Sequence, residues 1–428
     1  MDLHDRRYLL AGAGLLGVAA MARTAQAGSL NPPGIPAPTG KSTQQLYDAI
    51  VALELRVPVQ SLPGNGGAQY VISQPGSYFL AGDVNVNGAI DGISITAGNV
   101  TLDLNGFAIR SSFGANSSGN GIALGAVENV IIRNGSIQGA TVVSGGNVFS
   151  GGGFNSGIYS TQVLGTITVE NVNVSRVGFG GIQLGQNGAS ASLVVRGCAV
   201  RVCAGIGIQA DVVQDCVALS CGNTGIIAQT AENCRGDGII SHGVSATVAT
   251  NCVGNSTGGD GVHAVNAQNC VGTTASNSGA GISASAVATG CTGTATGGGQ
   301  GVYAVTAQGC IGQGSSNYGI YCIGNASHCQ GSSTSGIGMN VNKNAENCDG
   351  STSSGLYGLN VGINATNCSG STSGSAGSIA VTVGRTANNC FGIHGNTFVA
   401  VKAQILIGCT GFTAGATTFQ FTNKYNMP

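Results

Sequence analysis

The feature that most constrains the fold of this chain is a cysteine that recurs through its C-terminal half. Twelve of the 15 cysteines form this series, and consecutive members follow one another at a nearly constant interval. A period near 19 residues indicates stacked supersecondary units, because each short unit buries its apolar face only against its neighbours. The members of this structural ladder are Cys198, Cys216, Cys234, Cys252, Cys270, Cys291, Cys310, Cys329, Cys348, Cys368, Cys390 and Cys409.

The residues around each repeating cysteine predict which side chains point into the coil. The position three residues before the cysteine is alanine in nine units, and the position two residues after it is glycine in the last ten. The residue immediately before the cysteine is mostly Asn or Gly, which tolerate the left-handed backbone region well. A left-handed turn there shifts the in–out alternation, so the alanine, the cysteine and the glycine are all predicted to face inward.

A second inward column is predicted from glycines that precede an aliphatic residue. The spacing from this column to the next cysteine varies, whereas a left-handed hexapeptide helix needs strict multiples of six. We therefore predict an all-β, right-handed, single-stranded parallel β-helix of about 16 turns, stacked at ~4.8 Å per turn. The pairs are Gly225-Ile226, Gly238-Ile239, Gly261-Val262, Gly281-Ile282, Gly301-Val302, Gly319-Ile320, Gly336-Ile337 and Gly355-Leu356.

The N-terminal residues 1–27 are predicted to be a cleaved signal peptide. Arg6 and Arg7 precede an apolar run, and Ala25-Gln26-Ala27 matches a cleavage site. The arginine pair favours a twin-arginine signal over an ordinary secretory signal. We therefore expect a protein that is exported to the periplasm, the cell surface or the extracellular space, with no membrane span in the mature chain.

The remaining chain is divided into a connecting segment and the β-helix. Residues 28–68 are assigned to a linker and an N-terminal capping helix, which starts with a capping box between Ser42 and Gln45. Such a helix can cover the open first turn of a solenoid. Residues 69–428 are assigned to the β-helix, with cysteine repeats from 190 to 411 and a C-terminal cap at 412–428.

Three segments before the cysteine repeats resemble the first turns of exported bacterial right-handed β-helix proteins of the pectate-lyase-like superfamily. They are Gly76–Leu80, Val100–Phe107 and Val130–Gly135, and the later Asn-Cys-x-Gly units resemble the repeats of uncharacterised members. The resemblance implies the fold. It does not imply one activity, because this fold hosts lyases, hydrolases, adhesins and proteins without an assigned role.

Composition argues against a nucleic-acid partner. The chain has 15 Lys and Arg, 16 Asp and Glu, and a formal net charge of −1. Such a chain has no basic surface that could neutralise a phosphate backbone.

The cysteines could be structural thiols, disulfides or metal ligands. A disulfide between stacked neighbours is within reach, but parallel side chains would have to tilt two turns towards each other. Metal binding is disfavoured because a linear column lacks tetrahedral geometry and no C-x-x-C pair occurs. We predict buried structural thiols, and we expect Cys203 and Cys221, which are one repeat period apart, to stack on each other.

Charged residues concentrate in the turns before the repeats. Arg133, Glu170 and Arg196 occupy equivalent places in three successive motifs, which predicts an outward ladder of side chains. Together with Asp103 they are the candidate catalytic residues if the protein is a polysaccharide lyase, which would require Ca²⁺, or a glycoside hydrolase. Alternatively, these charged residues form solvated ion pairs without a catalytic role. Asp103 can instead support the Asn105-Gly106 turn. The signature motifs of these enzymes are missing from the sequence, so a non-catalytic protein without a cofactor is favoured.

Outward aromatic residues are the candidate ligand-binding residues. Tyr303, Tyr321, Tyr357 and His263 each follow an inward aliphatic residue, so a line of rings is predicted that could stack on sugars. Stacking between neighbouring strands is the alternative explanation. The irregular segment Thr141–Gly157 is predicted to overhang a groove. The favoured function is a monomeric protein that contacts polysaccharide or another surface, with an enzyme or a structural spacer as alternatives.

Overall fold

The computed structural model describes residues 42, 43, 45, 56–114, 119–145, 147–160, 162, 164–185, 192–396, 398–414 and 418–425. The chain divides into two units, residues 1–55 and residues 56–428. In the first unit, Ser42 N–H donates to Gln45 Oε1 at 2.9 Å and Gln45 N–H donates to Ser42 Oγ at 3.1 Å, as a capping box requires. The predicted signal peptide and most of the predicted capping helix lie outside the described residues.

The second unit is an all-β parallel solenoid of about 17 turns with almost no helix, which confirms the predicted architecture. Its strands form three parallel stacks, here called faces 1, 2 and 3. Each strand pairs in parallel with the equivalent strand one turn away. The handedness of the coil stays a prediction.

Face 1 contains the strands that carry the second inward column. Five of its strands continue around a corner into face 2: Ile226–Glu232, Val244–Thr250, Val262–Gln268, Ala280–Thr289 and Gln300–Gln308. The other strands of face 1 are Ala68–Ile72, Asp91–Ile95, Ile122–Leu124, Ile158–Ser160, Ile182–Gln183, Ile208–Gln209, Ile320–Cys322, Met339–Val341, Tyr357–Val361, Ile379–Val383, Val399–Lys402 and Thr418–Gln420.

Face 2 contains the residues that lead into the left-handed turn. Two of its strands, Val130–Gln138 and Ile167–Val177, continue into face 3. Its other strands are Val57–Pro58, Gly76–Phe79, Val100–Asp103, Leu193–Arg196, Val212–Gln214, Ala326–Ser327, Ala345–Glu346, Asn364–Thr366, Thr386–Asn388, Ile405–Ile407 and Asn423–Tyr425. Strands therefore also occur before residue 69 and within the segment assigned to a C-terminal cap.

Face 3 contains the strands that follow the turn. They are Val84–Val86, Ala108–Ser111, Ala199–Cys203, Val217–Cys221, Arg235–Gly238, Val253–Ser256, Val271–Thr274, Thr292–Ala295, Ile311–Gly314, Gln330–Ser333, Asp349–Thr352, Ser369–Thr372, Phe391–His394 and Thr410–Thr413. Two short strands outside the stacks, Val142–Ser144 and Val148–Ser150, form an antiparallel hairpin. A 3₁₀ helix spans Val59–Ser61.

The left-handed turn before the cysteine is present in every repeat. All twelve residues that precede a ladder cysteine have a positive φ, from 51° at Asn347 to 62° at Gly197. The alanines three residues before the cysteine and the cysteines themselves are buried, as are the glycines two residues after it except the last, Gly411, which is half-buried. The turn thus shifts the in–out alternation as predicted.

Two glycine columns bring opposite walls of the coil into backbone contact. A Cβ atom added to Gly272 on face 3 would lie 1.9 Å from the carbonyl oxygen of Gly281 on face 1. The equivalent Cβ at Gly254 would lie 2.0 Å from the oxygen of Gly261. The interior beside the cysteines is therefore too narrow for a side chain at these positions.

The second inward column differs from the prediction in three turns. Ile239, Ile337 and Leu356 do not line the interior, and Leu356 is 56% exposed. Each of these units contains a second glycine–apolar pair, and the structure buries Val244, Met339 and Leu359 instead. The second pair aligns with the neighbouring turns, so Ile320, Met339 and Leu359 occupy one column.

All 15 cysteines are buried free thiols. The Cys270 thiol donates to the carbonyl oxygens of Ala249 (3.4 Å) and Gln268 (3.3 Å). Hydrogen bonding with the Cys252 thiol, together with burial, raises the pKa of the Cys270 thiol to about 11, so it is protonated near neutral pH. Cys203 and Cys221 occupy the same position on adjacent turns, as predicted from their spacing.

Among the described residues, no helix has the length and apolar character needed to cross a membrane.

Candidate functional site: an aromatic and amide surface on face 1

Three tyrosines cluster on the outer surface of face 1. Tyr303 and Tyr321 occupy the same outward position on adjacent turns, and their ring centroids are 5.7 Å apart. Tyr318, in the turn before the same strand, stacks on Tyr321 with centroids 5.0 Å apart and an angle of 21° between the rings. All three side chains are half-buried. They therefore form one apolar surface that remains accessible from solvent.

Amide side chains continue this surface along the axis. Asn340 and Asn360 follow Tyr321 in the same column on the next two turns, where Asn340 is buried and Asn360 is half-buried. Asn360 Nδ2 donates to Asn340 Oδ1, and Asn340 Nδ2 donates to Asn342 Oδ1 at 3.2 Å. Asn342 Nδ2 in turn donates to Tyr321 Oη at 3.3 Å, which links the amides to the rings. We call Tyr303, Tyr318, Tyr321, Asn340, Asn342 and Asn360 the tyrosine–asparagine patch.

The predicted line of rings is only partly formed. Tyr357 pairs with Ile379 and lies three residues before Asn360, which is the residue of its strand in the column of Tyr321, so its inclusion in the line was wrong. This error follows from the second column, because the structure buries Leu359 rather than Leu356. His263 lies in the correct column, but Ser283 separates it from Tyr303. Tyr318 was missed, although it precedes the glycine of its unit and lies three residues before Tyr321.

The predicted charged ladder is present on face 2. Glu170 pairs with Arg133 on one side and with Arg196 on the other. Arg196 Nη1 lies 3.6 Å from Glu170 Oε1, and Arg196 Nε donates to Gln214 Oε1 at 3.1 Å. These groups lie at the surface, where such ion pairs contribute little to stability.

Asp103 extends this ladder by one turn and is almost fully buried. Its Oδ1 accepts hydrogen bonds from Asn105 N–H (2.9 Å) and Asn134 Nδ2 (3.3 Å). Its Oδ2 accepts from Arg133 Nε (3.2 Å) and Arg56 Nη1 (3.4 Å). Four donors thus occupy the lone pairs of the carboxylate. The hydrogen bond from Asn105 N–H shows that Asp103 supports the Asn105-Gly106 turn.

A third cluster joins His242, Asp260 and His263 on face 1. Asp260 Oδ2 lies 2.8 Å from His263 Nδ1 and 3.6 Å from His242 Nδ1. The hydrogen bond to Asp260 raises the pKa of His263, whereas burial lowers the pKa of His242. The pKa of Asp260 is lowered, because its hydrogen bonds and the two histidines outweigh the cost of burial. Only His263 was singled out from the sequence, although His242 and Asp260 are one repeat period apart and each precedes Gly-Val.

The hairpin in segment 141–157 lies beside two grooves. One has a volume of about 380 Å³ and is lined by Phe149, Gly153 and Phe154. The other, of about 290 Å³, lies between Val143 of the hairpin and residues such as Asp237 and Asn255 of face 3. The segment thus borders both grooves, and that it overhangs one of them stays a prediction.

Another groove lies on face 3 and has a volume of about 610 Å³. Serine and threonine hydroxyls from successive turns line it, including those of Thr294, Ser332 and Ser351. Its lining residues carry no aromatic ring and no charged group, so it offers a ligand only scattered hydrogen bonds.

Comparison with known proteins adds no family to this description. No protein-family model matches the chain, and no curated protein matches it significantly. The observed solenoid is compatible with a β-helix repeat protein, whereas membership of the pectate-lyase-like superfamily stays a prediction.

Proposed function

We propose that this protein is a non-catalytic, exported β-helix protein that binds a neutral polysaccharide through the tyrosine–asparagine patch. The observation that carries the proposal is the contact of three accessible tyrosine rings, with centroids 5.0 and 5.7 Å apart, on one face of the coil. The apolar face of a sugar ring presents C–H groups that pack favourably on an aromatic surface.

The neighbouring amides support a carbohydrate rather than a purely apolar ligand. Asn342 is exposed and Asn360 is half-buried, and both carry donors and acceptors, which match the hydroxyl groups of a sugar. The buried Asn340 holds the two amides in place through its hydrogen bonds. A glycan that lies along the axis would meet one outward residue of this column per turn, at ~4.8 Å intervals. The patch could therefore contact several consecutive sugar units.

The proposal of a non-catalytic protein rests on the candidate catalytic residues. Asp103 is saturated by donors, and Arg196 contacts both Glu170 and Gln214. A general acid or base must reach the proton that it transfers, so residues engaged in this way are poorly placed for catalysis.

Export is proposed from the signal-like residues 1–27 and is tested by the mass of the protein recovered outside the cytoplasm.

The decisive experiment combines a glycan array with assays for new reducing ends and unsaturated sugars on the same purified chain. We expect binding to one or more neutral glycans without cleavage. The Tyr303→Ala/Tyr321→Ala variant should lose binding, since it removes the centre of the patch. Tyr159→Ala is the matched control, because Tyr159 also points outward on face 1 but lies between Ala123 and Gln183.

Each alternative has a distinct result. Cleavage of any glycan would overturn the non-catalytic assignment. A folded double variant that binds as well as the wild-type chain would overturn the patch as the binding site. No binding to any glycan would favour a structural spacer.

A further inference from the structure

We propose that His242, Asp260 and His263 form a binding site for a divalent transition-metal ion of the zinc class. The site is separate from the proposed glycan-binding patch, because Ser283 lies between His263 and Tyr303 in the outward column. It also differs from the cysteine ladder, whose thiols are buried.

The repeat places two of the three side chains on consecutive turns. His242 and Asp260 each precede an inward glycine. Gly225 N–H donates to the His242 carbonyl, and Gly243 N–H donates to the Asp260 carbonyl. His263 lies three residues after Asp260, at the outward position of the strand Val262–Gln268. The stacking of turns therefore brings together residues that are distant in the sequence.

The distances suit a small ion. One ligand atom from each side chain lies within 4.8 Å of the other two. Ligand atoms around a tetrahedral zinc ion are about 3.3 Å apart, given bonds of about 2.0–2.1 Å. The separations of 2.8 and 3.6 Å between Asp260 Oδ2 and the two Nδ1 atoms bracket this value. Small side-chain shifts would thus admit the ion.

The carboxylate at the centre is already oriented. Asp260 Oδ1 accepts a hydrogen bond from Ala280 N–H at 2.6 Å, which leaves Oδ2 directed at the two imidazoles. Such hydrogen bonds to a ligand residue hold it in the binding orientation. His242 Nδ1 accepts from Asp260 N–H at 3.1 Å, and the ion would replace this contact.

The donor set and its exposure select the class of ion. Two imidazoles and one carboxylate suit Zn²⁺, Ni²⁺ or Cu²⁺, whereas Ca²⁺ and Mg²⁺ prefer oxygen ligands. The Asp260 side chain is 14% exposed, and those of His242 and His263 are 28% and 45% exposed. The anchoring carboxylate is thus sheltered, while the open side leaves room for water in the remaining coordination positions.

The test uses the full chain with its thiols kept reduced. Zn²⁺ is titrated by calorimetry, and Co²⁺ is titrated by absorbance in a parallel experiment. We expect one ion per chain and a cobalt spectrum without thiolate-to-metal charge transfer. Asp260→Asn and His263→Gln should each weaken binding at least about tenfold, because each removes a ligand. His242→Gln should also weaken the binding of the ion.

His328→Asn is the matched control, since His328 is also exposed on the solenoid but pairs with Asn347, and Asn tolerates its positive φ of 54°. It should bind Zn²⁺ like the wild-type chain. Circular dichroism confirms that each variant is folded, and Asn at position 260 keeps an acceptor for Ala280 N–H. The proposal is overturned if the wild-type chain binds no ion, if thiolate bands dominate the cobalt spectrum, or if folded His263→Gln and Asp260→Asn variants bind as tightly as the control.

Discussion

Replacing Gly272 by alanine tests whether opposite walls of the coil are in backbone contact. The added Cβ would lie 1.9 Å from the Gly281 oxygen, 2.6 Å from the Gly281 carbonyl carbon and 2.8 Å from Ile282 Cδ1. An ordinary van der Waals contact begins near 3.4 Å, so the walls must separate by roughly 1.5 Å to restore one. Two of the three nearest atoms belong to the backbone and cannot rotate away.

The hydrogen bonds between turns resist this separation. Gly272 pairs with Gly254 on one side and with Gly293 on the other. Moving one turn therefore distorts its two neighbours. Added methylenes in well-packed cores commonly cost about 1–3 kcal/mol, and we expect Gly272→Ala to cost about 3 kcal/mol or more.

Gly66→Ala is the matched control, because the added Cβ at this exposed glycine meets no atom within 4 Å. Urea unfolding by circular dichroism gives the overall shift in midpoint. Native-state hydrogen exchange shows which turns are destabilised, since the stability of each turn of a solenoid depends mainly on its neighbours. We expect the loss of protection to centre on residues 250–300. Equal midpoints for the two variants would refute the backbone contact.

The remaining predictions concern the patch, the thiols and a buried histidine. Tyr303→Ala/Tyr321→Ala should remain folded, with a thermal midpoint close to that of Tyr159→Ala, because both rings lie on the outer surface; an unfolded double variant would make these tyrosines structural. Thiol titration should detect few cysteines in the native chain and most of them after denaturation, since all 15 are buried; complete disulfide pairing by mass spectrometry would contradict this. Cys270→Leu should cost about 1–3 kcal/mol by overpacking, and Cys270→Ala less. The buried His394 donates a hydrogen bond from Nε2 to Ser378 Oγ and accepts one at Nδ1 from Asn396 N–H. Burial lowers the pKa of its imidazole from the ordinary value of 6.5. Because the pKa of His394 is lower in the folded chain, this residue stabilises the fold above pH 6.5, and that stability is lost as the pH falls through the folded-state pKa. The urea midpoint of unfolding should therefore decrease in mild acid. His394→Gln should make this decrease smaller.

The sequence by itself determined the repeat, the left-handed turn and the residues that face inward around each cysteine. These features depend on local properties. Asn and Gly tolerate a positive φ, and one such residue shifts the alternation of a strand regardless of its neighbours. The ladder of Arg133, Glu170 and Arg196 was predictable for the same reason, because each residue has the same position relative to its own turn.

Only the tertiary structure decided which of two glycine–apolar pairs enters the coil in a given turn. Gly355-Leu356 and Gly358-Leu359 are equivalent by composition, and the register with Met339 on the previous turn selects Leu359. That choice excludes Tyr357 from the tyrosine–asparagine patch. It is also the stacking of turns that brings His242 and Asp260 to His263, because unit lengths vary and only the accumulated register determines which outward side chains meet.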